Sequence, residues 1–466
     1  MPPLGWYALV VVVAAAVTAA LTLPARAVSR RAGYVAVPDE RKVHRQPTPY
    51  GGGAAMFLGF LAAMVVASQV PALHAVFRGS SEPLGVVLAG AAIFAVGLVD
   101  DAREMSAPAK VAGQVLAASI LYFLGVTMYQ FKVPLGGLLH VGFIVLSPSV
   151  TPLITALWVI AITNALNLID GLDGLAAGIV AIGGGALAVY GLRLMDLGLL
   201  PADNMGPLVA AIACGVCLGF LPFNFHPARI FMGDAGALFL GLLMSASTMV
   251  IGGRMPPASG TTYFFFAPLA IPAFILGVPL VDMAFAFLRR TARGTGFHAP
   301  DKDHIHHRLL RLGHGHRRAV VILWAWTALL SGFVLFPLFV HQVNAAIPFG
   351  AAALGVGLYT LFHPGLRQGG SDDADPEPST PSAPRPVALP DGTAVDGTAV
   401  AATDVDGTAV DGTAVAARDV DDTLVAGPGG AEGDGTRRDG GREVGVPEIA
   451  VASKAAAGPP PAEGCA

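Results

Sequence analysis

Long apolar stretches recur along the chain as far as residue 363, separated by short segments that hold most of its charged side chains. A spanning helix needs roughly 20 mostly apolar residues. On that measure the pattern predicts eleven spans, at 5–27, 51–70, 84–99, 108–127, 150–166, 173–190, 207–223, 235–252, 263–288, 319–340 and 345–363. Residues 128–149 interrupt the series. Val133-Pro134, Gly136-Gly137 and alternating apolar positions there read as a short extracytoplasmic β-hairpin. The first stretch lacks a basic segment ahead of it, and Arg26, Arg30 and Arg31 follow it, so it reads as a retained helix. The fold class is an all-α polytopic membrane protein.

Composition divides the chain in two. Of the 466 residues 54% are hydrophobic and 13% charged, whereas a soluble domain carries about 25% charged residues. Residues 1–368 hold 22 basic and 14 acidic side chains, against 6 and 18 in 369–466. The net charge of −4 therefore describes neither part, and a single water-soluble globule is excluded. The tail repeats Asp-Gly-Thr-Ala-Val at 391–395, 396–400, 406–410 and 411–415 among Pro, Gly and Asp, and reads as a disordered, acidic low-complexity segment. Three cysteines, Cys214, Cys217 and Cys465, are too few for a disulfide framework. Sixteen Arg and Lys follow the odd-numbered spans and four face the other way, which puts the former loops and the tail in the cytoplasm.

The acids are the informative residues. Asp100, Asp101, Asp170, Asp173, Asp234, Asp301 and Asp303 all fall at the cytoplasmic ends of spans. Asp100-Asp101 closes span 3, where adjacent carboxylates repel unless a cation or proton relieves them. Asn164, Asn167, Asp170 and Asp173 recur every three residues, so successive members can face one cavity, and Gly171 and Gly174 allow close backbone approach. Asn224 precedes Phe231-Met232-Gly233-Asp234-Ala235-Gly236, which places a carboxylate at a helix N-terminus, and Phe231 offers a ring for stacking. Asp301-Lys302-Asp303-His304-Ile305-His306-His307-Arg308 lies in a long basic loop suited to phosphate, with Zn²⁺ binding as the alternative. Clustered carboxylate and amide oxygens suit a hard divalent cation such as Mg²⁺.

These four stretches and Pro38–Gly52 together resemble the polyprenyl-phosphate N-acetylhexosamine-1-phosphate transferases, in the family's order, across roughly residues 35 to 312. The resemblance implies that a UDP-sugar gives its sugar 1-phosphate to a polyprenyl phosphate and releases UMP, with Mg²⁺ or Mn²⁺ required. By motif position it implies Asp234 as the main metal ligand and Asn167 as a second. Asp100 or Asp101 would handle the acceptor phosphate. Asp170, Asp173, Asn224 and Phe231 match positions associated with uridine, and Asn164 belongs to the same run. His304, His306 and His307 match the loop contacting the donor diphosphate, with Arg308 beside them. Ala237 departs from the pattern, where many relatives have Ser.

The sequence Asp-Lys-Asp-His-Ile-His-His-Arg looks like the N-acetylglucosamine group of that family, so the implied donor is UDP-N-acetylglucosamine and the product initiates cell-wall or surface polysaccharide. The implied surroundings are membrane lipid, with no nucleic acid and with a homodimer left open. The alternative within the family is transfer of phospho-N-acetylmuramoyl-pentapeptide. Outside it, an ion-coupled transporter predicts mid-bilayer carboxylates and an internal repeat, and only Asp282 falls inside an expected span. A scaffold using the acidic tail would leave the clustered Asn, Asp and His unexplained.

Overall fold

The structure is a computed structural model, and it describes residues 4–36, 47–131, 144–253, 276–281, 283–284, 309, 314–340 and 346–362. The helices are α1 (Leu4–Arg31), α2 (Gly52–Gln69), the short α3 (His74–Arg78), α4 (Glu82–Arg103), α5 (Ala107–Phe123), α6 (Thr151–Ile169), α7 (Leu175–Asp196), α8 (Gly206–Asn224), α9 (Gly233–Gly252), α10 (His316–Phe339) and α11 (Ala346–Phe362). Pro83, Pro108, Pro152 and Pro207 stand in the first turns of α4, α5, α6 and α8, where a missing N–H costs nothing.

Among the described residues, eight helices are long and apolar enough to cross a membrane, with α5 and most of α11 as shorter apolar helices. The protein is a multi-pass helical membrane protein. Ten of the expected spans coincide with these helices; the remaining one, 263–288, lies mostly outside the described residues. The expected hairpin is described only at its two ends, where β3 (Gln130–Phe131) pairs antiparallel with β4 (Ile144–Val145). A second small pair joins β1 (Val35–Ala36) to β2 (Thr48–Pro49). The acidic tail lies outside the described residues.

Helix α9 is the core of the bundle. It is buried along its length and packs against α2, α4, α6, α7 and α8, while α1 lies on α2 and α8, and α10 on α7. The outer faces carry Leu58, Val65, Leu88, Leu116, Leu153, Leu157 and Val321, all exposed and apolar, as lipid contact requires. Inside, polar side chains join helices. Trp158 Nε1 on α6 donates to Thr248 Oγ1 on α9 at 2.9 Å, and Ser247 Oγ on α9 donates to the Gly206 carbonyl of α8 at 2.7 Å.

Close crossings depend on small residues. A Cβ at Gly97 of α4 would collide with the backbone of Asp234 and Ala235 in α9, and one at Gly53 of α2 would strike Gly236. Three helices therefore meet backbone to backbone at the start of α9. Alternation of direction brings the C-termini of α1, α4, α6 and α8 and the N-termini of α2, α5, α7, α9 and α10 to one end of the bundle.

Gly97→Val should separate α4 from α9, because the obstructing atoms are backbone in a fully buried helix. We expect a loss of about 1–3 kcal/mol, read as a lower melting temperature in detergent. Gly350→Ala, which meets nothing within 4 Å, should melt no lower than the parent.

Candidate active site

The site begins with a helix end that cannot be left bare. The first N–H groups of a helix have no intrahelical acceptor, and those of α9 lie within the bundle end. Asp101 supplies the acceptor from α4. Its Oδ1 accepts from the Asp234 N–H at 2.7 Å and its Oδ2 from the Ala235 N–H at 3.1 Å. Gly233 makes room for this carboxylate. Its φ is +69°, and a Cβ there would run into the Asp101 carboxyl group.

With Asp101 turned onto α9, its neighbour Asp100 points elsewhere. Asp100 Oδ1 accepts from the Met105 N–H at 2.7 Å, and Oδ2 accepts from Lys110 Nζ at 2.7 Å. Lys110 stands on the first turn of α5, and its Nζ also donates to Asp234 Oδ2. Asn167 on α6 closes the group. Oriented to satisfy both neighbours, its amide donates to Asp234 Oδ1 and accepts from Lys110 Nζ, each at 3.1 Å. One ammonium thus bridges carboxylates from two helices and an amide from a third.

Beside this group lies the loop between α6 and α7. Asp170 ends α6, and burial together with the charges of Asp234, Asp101 and Asp173 pushes its carboxyl well above the usual carboxylate range. Asp173 is held from the α8–α9 connection, where His226 Nδ1 and the Ala228 N–H meet its Oδ2 at 2.8 and 3.0 Å. Asn224 is buried; its Oδ1 accepts from the Gly174 N–H and its Nδ2 donates to the Ile230 carbonyl, both at 3.1 Å. Phe231 faces Tyr50 with ring centres 6.3 Å apart, and Tyr50 faces Tyr34 at 5.4 Å. Burial, then the Asp101 charge, pushes both phenols up.

Hard oxygen donors from three helices meet around the Lys110 ammonium, beside a polar loop at one end of the bundle. Comparison with known proteins gives the family. A family model described as Glycosyl transferase family 4 matches residues 83–252. Decaprenyl-phosphate N-acetylglucosaminephosphotransferase of Mycobacterium tuberculosis is 40% identical over 385 residues, 80% of this chain and 93% of the relative. The chain belongs to glycosyl transferase family 4. The probable undecaprenyl-phosphate N-acetylglucosaminyl 1-phosphate transferase of Bacillus subtilis is 34% identical, covering 71% of this chain and 81% of its own length. Phospho-N-acetylmuramoyl-pentapeptide-transferase of Moorella thermoacetica is 31% identical over 69% of this chain and 95% of the relative.

In this family-4 protein the structure brings Asp100, Asp101, Asn167, Asp170 and Asp234 together. Asn164 does not join them: its Nδ2 donates to Gln114 Oε1 at 3.0 Å and to the Ile160 carbonyl at 2.8 Å, bracing α6 against α5. Asn224 likewise has both ends of its amide bound to backbone. His304, His306, His307 and Arg308 lie outside the described residues. Lys110 is not among the residues the sequence singles out; its position in the first turn of α5, just past the Asp100-Asp101 pair, is the available signal. His316 carried no signal, because only the fold brings α10 beside the α6–α7 loop.

The raised Asp170 carboxyl makes a stability prediction with a definite sign. A carboxylate whose folded pKa is raised is stabilising when protonated and costs stability as pH rises through its unfolded and then its folded value. Asp170→Asn should therefore melt higher than the parent at pH 8 in chelator, and the gap should close as the pH falls toward 4 (about the free carboxylate value).

Proposed function

We propose that the chain transfers N-acetylglucosamine 1-phosphate from UDP-N-acetylglucosamine to a polyprenyl phosphate, releasing UMP. The observation that carries this reading is the convergence of Asp100, Lys110, Asn167 and Asp234 beside the Asp170–Gly174 loop. The names of the Mycobacterium and Bacillus relatives support the sugar. Positive-inside charge supports a cytoplasmic site, where soluble UDP-sugar is available. The chain has eleven spans on this reading, with residues 1–368 as the catalytic domain.

The residues fit a divalent cation. Asp100, Asp101, Asp170 and Asp234 bring four carboxyl groups and Asn167 an amide oxygen, all hard donors, against the Lys110 ammonium, the one side-chain cation bonded to them among the described residues. Asp234 and Asn167 would hold Mg²⁺ or Mn²⁺, with Asp100 beside them. When bound, the ion supplies positive charge to the donor diphosphate.

The acceptor phosphate has a second pKa of about 6 and needs no strong base at neutral pH. One of its oxygens forms a bond to the β-phosphorus of the donor. The bond from that phosphorus to the bridging oxygen breaks, and UMP leaves with the electron pair. Lys110 neutralises charge where the two phosphates meet, and Asp101 holds Asp234 in place through the α9 backbone. The Asp170–Gly174 loop and Phe231 receive the uridine, and His304, His306, His307 and Arg308 receive the diphosphate.

A transporter reading fares worse. Glu82, Asp100, Asp101, Asp196 and Asp234, the carboxylates within the described spans, stand in first or last turns or just short of an end rather than at mid-bilayer.

Purified protein with defined polyprenyl phosphate should release UMP from UDP-N-acetylglucosamine and little from UDP-N-acetylmuramoyl-pentapeptide. Asp234→Asn should lower kcat by at least about 100-fold, the scale of losing one electrostatic group of a charge-stabilising site. Near-normal turnover at ordinary Mg²⁺ would remove Asp234 from the metal site. Truncation after residue 368 should leave kcat/KM unchanged, since it deletes no residue assigned to the reaction; a large loss would give the tail a catalytic part.

A further inference from the structure

Asp173 is gripped from two sides by imidazoles that the reaction does not use. His226 Nδ1 and the Ala228 N–H bind its Oδ2 at 2.8 and 3.0 Å. From α10, His316 Nε2 accepts the Asp173 backbone N–H at 3.1 Å. The two rings stack with centres 4.2 Å apart and planes 18° from parallel. Arg317 Nε completes the join by donating to the His226 carbonyl at 3.2 Å. The α6–α7 loop, the α8–α9 connection and the start of α10 are thus fastened at one point.

The three ligand atoms lie within 4.8 Å of one another, a spacing open to a metal ion. The hydrogen bonds argue otherwise. His226 Nδ1 directs a proton at the carboxylate, so its neutral form carries the lone pair on Nε2, away from Asp173. His316 Nε2 directs its lone pair at a backbone N–H. Stacked, nearly parallel rings also send in-plane lone pairs side by side instead of toward one centre.

We propose that His226 and His316 are positioning residues that set the Asp170–Gly174 loop for the donor nucleotide. The inference rests on the reading of that loop as the uridine site. Neither imidazole touches the reacting phosphates; each acts through Asp173. The tautomers are fixed by the partners: His226 is a donor at Nδ1 and His316 an acceptor at Nε2. Asn at 226 presents an amide N–H near the Nδ1 position, and Gln at 316 presents a carbonyl near the Nε2 position, so each replaces one hydrogen bond without an imidazole.

The test is steady-state kinetics of the full chain in detergent with UDP-N-acetylglucosamine and polyprenyl phosphate. His226→Leu and His316→Leu should each raise the donor KM by about three- to tenfold, the cost of one lost hydrogen bond. The acceptor KM and kcat should stay within about twofold, below the cost of one hydrogen bond. His226→Asn and His316→Gln should restore the donor KM. Equal defects in the leucine and the amide variants, or loss confined to melting temperature, overturn the proposal. An unchanged donor KM in the leucine variants with a raised one in Asp173→Ala overturns it while leaving the uridine reading intact. An unchanged donor KM in Asp173→Ala removes the loop from the nucleotide site and the proposal with it. Near-stoichiometric zinc in purified protein, lost in His316→Gln, would establish a metal site in its place.

Discussion

The hydrogen bonds from the first turn of α9 to the Asp101 carboxylate are the contact on which the rest of this structure depends. A fully buried helix presents uncompensated N–H groups and a positive dipole end, and an anion there contributes roughly 0.3–1 kcal/mol, up to about 2 where partly buried. Asp101 reaches that end only because Gly97 lets α4 lie against Ala235, and because Gly233 leaves its α-carbon bare. Once Asp101 is committed to capping, Asp100 is turned toward Lys110 and Asp234 stands at a fixed place on the first turn. Helix packing and the placement of charge are consequences of the same carboxylate.

This division of the Asp100-Asp101 pair was not legible in the sequence. Repulsion between adjacent carboxylates correctly asked for a compensating group. The answer is two different ones, a backbone helix end for Asp101 and an ammonium for Asp100. Spans were legible because lipid demands long apolar runs, and Pro83, Pro108, Pro152 and Pro207 announce helix starts. The glycines of Gly233-Asp234-Ala235-Gly236 were legible as a motif, but their reason, backbone contact with α2 and α4, is three-dimensional.

The three-residue spacing from Asn164 to Asp173 does not put all its members beside one another. Spacing along a helix states which side chains share a face, not which neighbour lies opposite. Asn167 faces α9 and its carboxylate, whereas Asn164 finds the amide of Gln114 on α5 and is used in bracing. Asn224 sits in a motif as polar as any, yet its amide is engaged at both ends by the backbone of Gly174 and Ile230. A polar residue at a membrane-protein end therefore has two employers, the ligand and the unpaired backbone, and only distances tell them apart.

The groups of the candidate site are borne on the ends of several spans or on loops tied to them. Their mutual distances depend on how far α4, α5, α6, α9 and α10 each stand out of the bilayer. A helix rises about 1.5 Å per residue, so sliding one span by a single residue is enough to break a hydrogen bond such as that between Asp101 and α9. Lipid of mismatched thickness is accommodated by tilting and shifting spans individually. The site is in effect a gauge of hydrocarbon depth, and acyl-chain length in a reconstituted bilayer becomes a variable of its chemistry alongside substrate and cation.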